Sequence, residues 1–166
     1  MSTRRESALA EIEAIAHDVA GSLGLEIVEL VFHSRGKHSL LRIDIDRAGP
    51  AGVGLQDCEA LSRALDARLE AIEFFDAPYE LQVSSPGLDR PIRTDDDLRR
   101  NRGRLVRAEF RDDSGRSRES QGVLLGLDDD GAVRLDQEGE VFSIPRDRIS
   151  LLKQSLTTKG RRPQDR

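Results

Sequence analysis

Apolar positions recur along the chain with two periods, and the switches between them mark its elements. Leu9, Ile12, Ile15, Val19 and Leu23 share one helical face, opened by Thr3 and Glu6 as a capping box and closed near Gly21 and Gly24. Residues 25–33 are apolar on both faces and rich in β-branched side chains, which predicts a covered strand. After a turn at 34–38, residues 39–47 alternate Leu41, Ile43 and Ile45 against Arg42, Asp44 and Asp46, a half-buried strand that completes a hairpin. A Gly- and Pro-rich loop (48–54) leads into the clearest helix, residues 55–75, with Leu55, Cys58, Leu61, Leu65, Leu69 and Ile72 in one stripe. Residues 79–85 alternate again as a third strand. The order α-β-β-α-β predicts a two-layer domain, helices on one face of a three-stranded sheet.

The second half has a different texture. Thr94 followed by Asp95, Asp96 and Asp97 predicts a short helix, its hydroxyl cap and carboxylates at the positive end of the dipole, stopped by Gly103. Four or five short strand patterns separated by turn residues then fill about 50 residues, as a small antiparallel barrel would. The expected organisation is α+β in two domains: 1–84, a stiff linker 85–93, a barrel 94–153, and a basic flexible tail 154–166. In the linker, Pro86 and Gly87 suit the two central positions of a type II turn, with Gly87 at positive φ. Ser85 and Arg90, each before a proline, are pushed towards extended backbone. Leu88 and Ile92 could each anchor one domain.

Charge refines this picture because it is segregated. Residues 1–83 carry 8 basic and 15 acidic side chains, 84–111 carry 8 and 5, 112–153 carry 6 and 10, and 154–166 carry 4 and 1. An acidic body with a basic waist and tail departs from a DNA-binding face, which is basic where it docks, so no DNA partner is expected. No apolar run approaches the roughly 20 residues that span a bilayer, and no secretory h-region opens the chain, so a cytoplasmic protein without a membrane partner is expected.

Candidate chemistry is sparse. The lone Cys58 lies on the helical stripe, as a small buried hydrophobe does, and cannot form an internal disulfide. His17, His33 and His38 form no ligand or triad motif, and no Walker, G-x-S-x-G or H-E-x-x-H pattern occurs. The two Asp triplets, 95–97 and 128–130, suit a helix start and a hairpin turn; consecutive carboxylates do not converge on one metal ion. Neither an enzyme nor a cofactor or metal site is expected. The aromatic residues fall on strands or the end of the long helix, so base stacking is poorly served. Candidate phosphate contacts are Arg35 and Lys37 at the hairpin turn and Arg99, Arg100, Arg102 and Arg104 around the waist.

The helix at 57–70, the segment "YELQVSSPGLDRPI" at 79–92 and the short helix leading into a barrel together resemble the bacterial ribosome maturation factor RimP family, over residues 8–153. The resemblance implies an α+β N-terminal domain and a C-terminal barrel similar to SH3 and Sm folds. It also implies a monomeric, non-catalytic factor whose partners are the proteins and rRNA of the immature small ribosomal subunit. The stretch that carries it supplies the candidate partner-binding or domain-clamp residues: Ser84, Ser85, Gly87, Asp89, Arg90 and Arg93. The competing expectation is a stand-alone Sm-like RNA-binding module, which the acidic balance and helical N-terminal half disfavour.

Overall fold

The computed structural model describes residues 2–35, 37–72 and 78–156, and the chain divides into two compact units. Unit 1 comprises residues 1–47 and 51–86; unit 2 comprises 48–50 and 87–166.

Unit 1 begins with α1 (Ser2–Ser22), so Thr3 lies inside the helix and is not its cap. β1 (Glu26–Arg35) and β2 (His38–Asp46) pair antiparallel, with Arg35 opposite His38 across the turn and a bulge between Ile27 and Glu29. The helix α2 (Leu55–Leu69) crosses over to β3 (Tyr79–Ser84), which pairs parallel to β2, giving the order β1-β2-β3. The core joins Ile12, Ala16 and Val19 of α1, Leu41, Ile43 and Ile45 of β2, and Cys58, Leu61, Leu65 and Leu69 of α2. Fully burying each Leu or Ile contributes about 1.5–3 kcal/mol, so the alternation of β2 and the stripe of α2 jointly determine which faces meet.

Several expectations shift here. Ala16 and Ala20 are buried in α1, whereas Leu23 is partly exposed and Leu55, at the start of α2, is largely exposed. The helix expected over 55–75 ends at Leu69, where Glu70 N–H donates to Asp66 O and Ile72 N–H to Leu69 O in a closing turn. Residues 73–77, with Phe74 and Phe75, lie outside the described residues. Asp44 and Asp46, expected on a solvated face, are buried at 3% and 5% exposure.

In unit 2, α3 (Asp95–Arg100) precedes β4 (Leu105–Arg111), β5 (Ser117–Leu127), β6 (Val133–Gln137), β7 (Glu140–Ile144), a 3-10 turn at Arg146–Arg148 and β8 (Ile149–Gln154). They form one antiparallel sheet in the order β7-β6-β5-β4-β8. β7 and β8 end this order, and no ladder among the described residues joins them. Residues 128–132 form the β5–β6 turn, where the second Asp triplet was expected to lie, and the Asp128 carboxylate accepts from Asp130 and Ala132 N–H. β6 and β7 fold back on each other at Glu138 and Gly139, both at positive φ (52° and 91°), the signature of a type I′ turn. Val106, Ala108, Leu124, Val133, Leu135, Ile144 and Leu152 make the core, with Ile92 and Leu98 packed into it. Gln154, expected in the tail, completes β8; residues 157–166 lie outside the described residues.

Candidate functional site

The segment singled out in the sequence starts where β3 ends. Ser84 pairs with Asp44 in the parallel ladder, and its hydroxyl donates to Asp44 Oδ1 at 2.8 Å. Arg42 reaches the same carboxylate through Nε (3.3 Å) and Nη2 (3.0 Å). Asp44 is thus buried but satisfied, which is what a carboxylate away from water requires. The hydrogen bond and charge of Asp44 in turn push the Arg42 pKa up.

The turn that follows differs from the one expected. Gly87 is not at positive φ, so the type II turn on Pro86 and Gly87 is not formed. Instead Arg90 N–H donates to Gly87 O at 3.0 Å, making Leu88 and Asp89 the central pair. Neither has a positive φ. The bend lies two residues further along than expected, and because neither central residue needs a positive φ, ordinary L residues fit it. Ser85, Gly87, Leu88 and Asp89 are exposed, so Leu88 anchors neither core, while Ile92 is buried and its N–H donates to Leu152 O at 2.7 Å. Lys153 Nζ donates to Asp89 Oδ1 at 3.4 Å, an exposed pair of small energetic value. Arg90 is half-buried and engaged in interactions of its own.

Around α3 the basic residues separate into two kinds. Arg100, expected as a phosphate contact, is buried and donates to Asp97 Oδ1 at 2.6 Å. Its guanidinium therefore balances an internal charge and is not presented to a partner. Arg104 is tied down as well, through Nε to Gly49 O (2.8 Å) and Nη1 to Asn101 Oδ1 (3.2 Å). By contrast Arg93, Arg99 and Arg102 are exposed; Arg99 meets Asp96 in a loose pair at 3.4 Å, and Arg102 lies along Gly126. In unit 1, Lys37 is exposed in the β1–β2 turn and Arg35 closes β1.

The centre of this region, missed from the sequence, is Asp97. Its Oδ2 accepts from Arg93 N–H (3.0 Å) and Thr94 N–H (3.1 Å), while the Thr94 hydroxyl accepts from Asp97 N–H (3.0 Å), a complete capping box. Burial alone would raise the Asp97 pKa. The amides of Thr94 and Arg93, the Thr94 hydroxyl and the Arg100 charge outweigh it and hold the carboxyl below its ordinary range. Asn101 extends the network, donating to Asp97 O (2.7 Å) and accepting from Gln154 (2.6 Å). The Thr-x-x-Asp spacing was the available signal: the third acidic residue is the one a capping box uses.

Against known families, residues 15–89 match the family model of the RimP N-terminal domain. Residues 15–89 form a domain of the RimP N-terminal type. The RimP domain takes in the whole β1-β2-α2-β3 sequence of elements and ends at Asp89, inside the turn just described. Glycine at the cap of α2, Gly54, is compensated in this RimP domain: Asp57 accepts from Gly54 N–H (2.9 Å) and is clamped by Arg47 (2.9 and 3.3 Å). The Arg47 bond, then that of Gly54, draws the Asp57 pKa down. Among the described residues no group of His, Cys, Asp and Glu side chains could hold a metal ion. No described helix is long and apolar enough to cross a membrane.

Proposed function

We propose that this chain belongs to the RimP family and is a non-catalytic ribosome assembly factor that binds the immature small ribosomal subunit, in the cytoplasm and as a monomer, and promotes its maturation. The observation that carries the reading is the match of residues 15–89 to the RimP N-terminal domain. The charge distribution supports it: an acidic N-terminal half suits basic ribosomal proteins, and the excess of cations at 84–111 suits rRNA phosphates. Within that stretch the contact residues are Ser85, Asp89, Arg90 and Arg93, joined by exposed Arg99 and Arg102, with Arg35 and Lys37 as a second group. Ser84 and Gly87 shape the chain beside them.

No chemical step is needed. A factor that binds the immature particle more tightly than the mature one pulls the precursor towards its binding-competent arrangement and is released once that arrangement is lost; equal affinity for both would shift nothing. The test is co-sedimentation of the full chain with free small subunits, joined ribosomes and naked rRNA at two salt concentrations. The expected result is co-migration with free small subunits alone, weakened by Arg93→Glu. Equal binding to naked rRNA, falling steeply with salt, would instead identify an Sm-like RNA-binding module. Absence from all three fractions would refute the assembly-factor reading.

A further inference from the structure

Away from the core, one row of side chains crosses the outer face of the unit 2 sheet. Leu105 pairs with Val123, Val123 with Asp136 and Asp136 with Val141, so these four stand side by side on β4, β5, β6 and β7. Each neighbours a residue that packs in or on the core (Val106, Leu124, Leu135 and Phe142), and strand alternation turns it the other way. Val123 is 36% exposed and Val141 50%. Asp136 stands between them; its Oδ1 accepts from Gly139 N–H at 2.9 Å, and among the described residues no basic side chain pairs with it. A carboxylate flanked by two exposed valines suits a lysine or arginine, whose methylene stem covers the apolar pair while its charged head reaches the acid.

The chain itself brings such side chains to this place. Ser155 N–H donates to Leu105 O at 2.9 Å, which carries the β8 pairing to the end of the row, and the Ser155 hydroxyl accepts from Gln121. Leu156 follows at 78% exposure. Residues 157–166 then supply Lys159, Arg161, Arg162 and Arg166 against the single acid Asp165. Those ten residues reach up to about 33 Å when extended. Crossing the sheet from β8 to β7 takes four strand spacings, about 19 Å. Charge points the same way: residues 112–153 carry 6 basic and 10 acidic side chains, so the surface left by the chain is of opposite sign to its tail. A second copy set face to face would instead bring one Asp136 against another.

We propose that residues 157–166 fold back across this face, with a cationic side chain laid over Val123 and Val141 and paired with Asp136. Docked, the tail covers the two valines and withholds its cations from phosphate groups. A polyanion that binds the tail more tightly than Asp136 does draws it off and uncovers the face. The inference goes beyond ribosome binding, because the contact is made within one chain and needs no partner.

The test uses the ¹⁵N-labelled full chain and reads the amides of both surfaces. Lys159→Glu, Arg161→Glu and Arg162→Glu together should shift the Val123, Asp136 and Val141 amides, while the Leu124 and Leu135 amides stay in place to show an intact fold. In the reverse direction, Asp136→Asn keeps an acceptor for Gly139 N–H and removes the charge. It should lower the docked population about fivefold, as loss of one half-exposed ion pair does, read from the heteronuclear NOE of the tail amides. Val141→Thr, which keeps the β-branched shape, should lower the same signal. Face amides that ignore the tail variant, or tail amides that ignore both face variants, would overturn the proposal. So would face shifts that grow with protein concentration, which assign the surface to a second copy. A face that responds to an added blocked tetra-arginine peptide but ignores the tail variant would overturn it in favour of a basic partner in trans.

Discussion

Removing the Asp97 carboxylate tests the polar centre of unit 2 most directly. In Asp97→Ala, Arg100 keeps its charge at 8% exposure with its 2.6 Å partner gone, and the amides of Arg93 and Thr94 lose their acceptor. Breaking a buried pair from one side costs about 3–5 kcal/mol, because the surviving charge has neither water nor a partner. Against the about 5–15 kcal/mol that holds an ordinary domain, that is a large fraction. Arg100→Met should be milder, since Asp97 would keep both amides. The decisive variant is the double one. Asp97→Ala with Arg100→Met removes the stranded charge and should recover about 1–3 kcal/mol relative to Asp97→Ala alone. Urea unfolding followed through the amide signals of Val106, Leu124 and Leu135 reads this unit specifically. A loss below about 1 kcal/mol in Asp97→Ala, or a double variant less stable than the single, would refute the account of Asp97 as a buried hub.

The same carboxylate makes unit 2 acid-sensitive. The folded pKa of Asp97 lies below its ordinary value, so its contribution is complete above about pH 4 and is lost as pH falls through the lowered folded value; the pH slope of stability below about 4 should be shallower in Asp97→Ala when the urea series is repeated. Gly103 and Gly115 share a φ near +80°, but a Cβ at Gly103 would stand 2.8 Å from Pro50 Cγ whereas Gly115 is open. Gly115→Ala should therefore cost only about 1 kcal/mol of backbone strain and Gly103→Ala about 1–3 kcal/mol more, read by thermal unfolding. Gly122→Ala should destabilise the β5–β6 pairing, since its Cβ would meet Asp136 O at 2.8 Å; hydrogen exchange at Leu135 should accelerate. In unit 1, Asp57→Ala removes the acceptor of Gly54 N–H and should cost about 0.5–2 kcal/mol, measured as a loss of helical circular dichroism stability.

What the sequence made legible followed from repetition. The alternation at Leu41, Ile43 and Ile45 and the stripe at Cys58, Leu61, Leu65 and Leu69 each report one buried face, and both met in the unit 1 core. Ends were harder. A helical stripe continues on paper through Ile72, yet the chain leaves the helix at Leu69 and still packs Ile72 on the core, because burial does not require helical backbone. Glu138 gave no turn signal of its own; a Gln-Glu-Gly run reads as strand until the two-residue turn is seen. Charge was the least legible property. Arg99, Arg100, Arg102 and Arg104 are alike in the sequence, but six α3 residues place Arg100 inward and Arg99 outward, and only the fold distinguishes a structural cation from one offered to a partner. Asp44 and Asp46 failed for the complementary reason: alternation assigns a face, not whether that face is wet.

The parallel pairing of β2 with β3 also governs when unit 1 can fold. The β1–β2 hairpin is local, its ladder closing at Arg35 and His38, and can zip as soon as it exists. The ladder that gives β2 its second neighbour joins Ser39 to Tyr79 and Asp44 to Ser84, with all of α2 in between. Closing so long a loop is an entropic cost met before any contact repays it. During synthesis the central strand of this unit therefore waits, half-paired, until Ser84 has left the ribosomal exit tunnel. Mutations that slow the α2 crossover should lengthen that wait without altering the final structure.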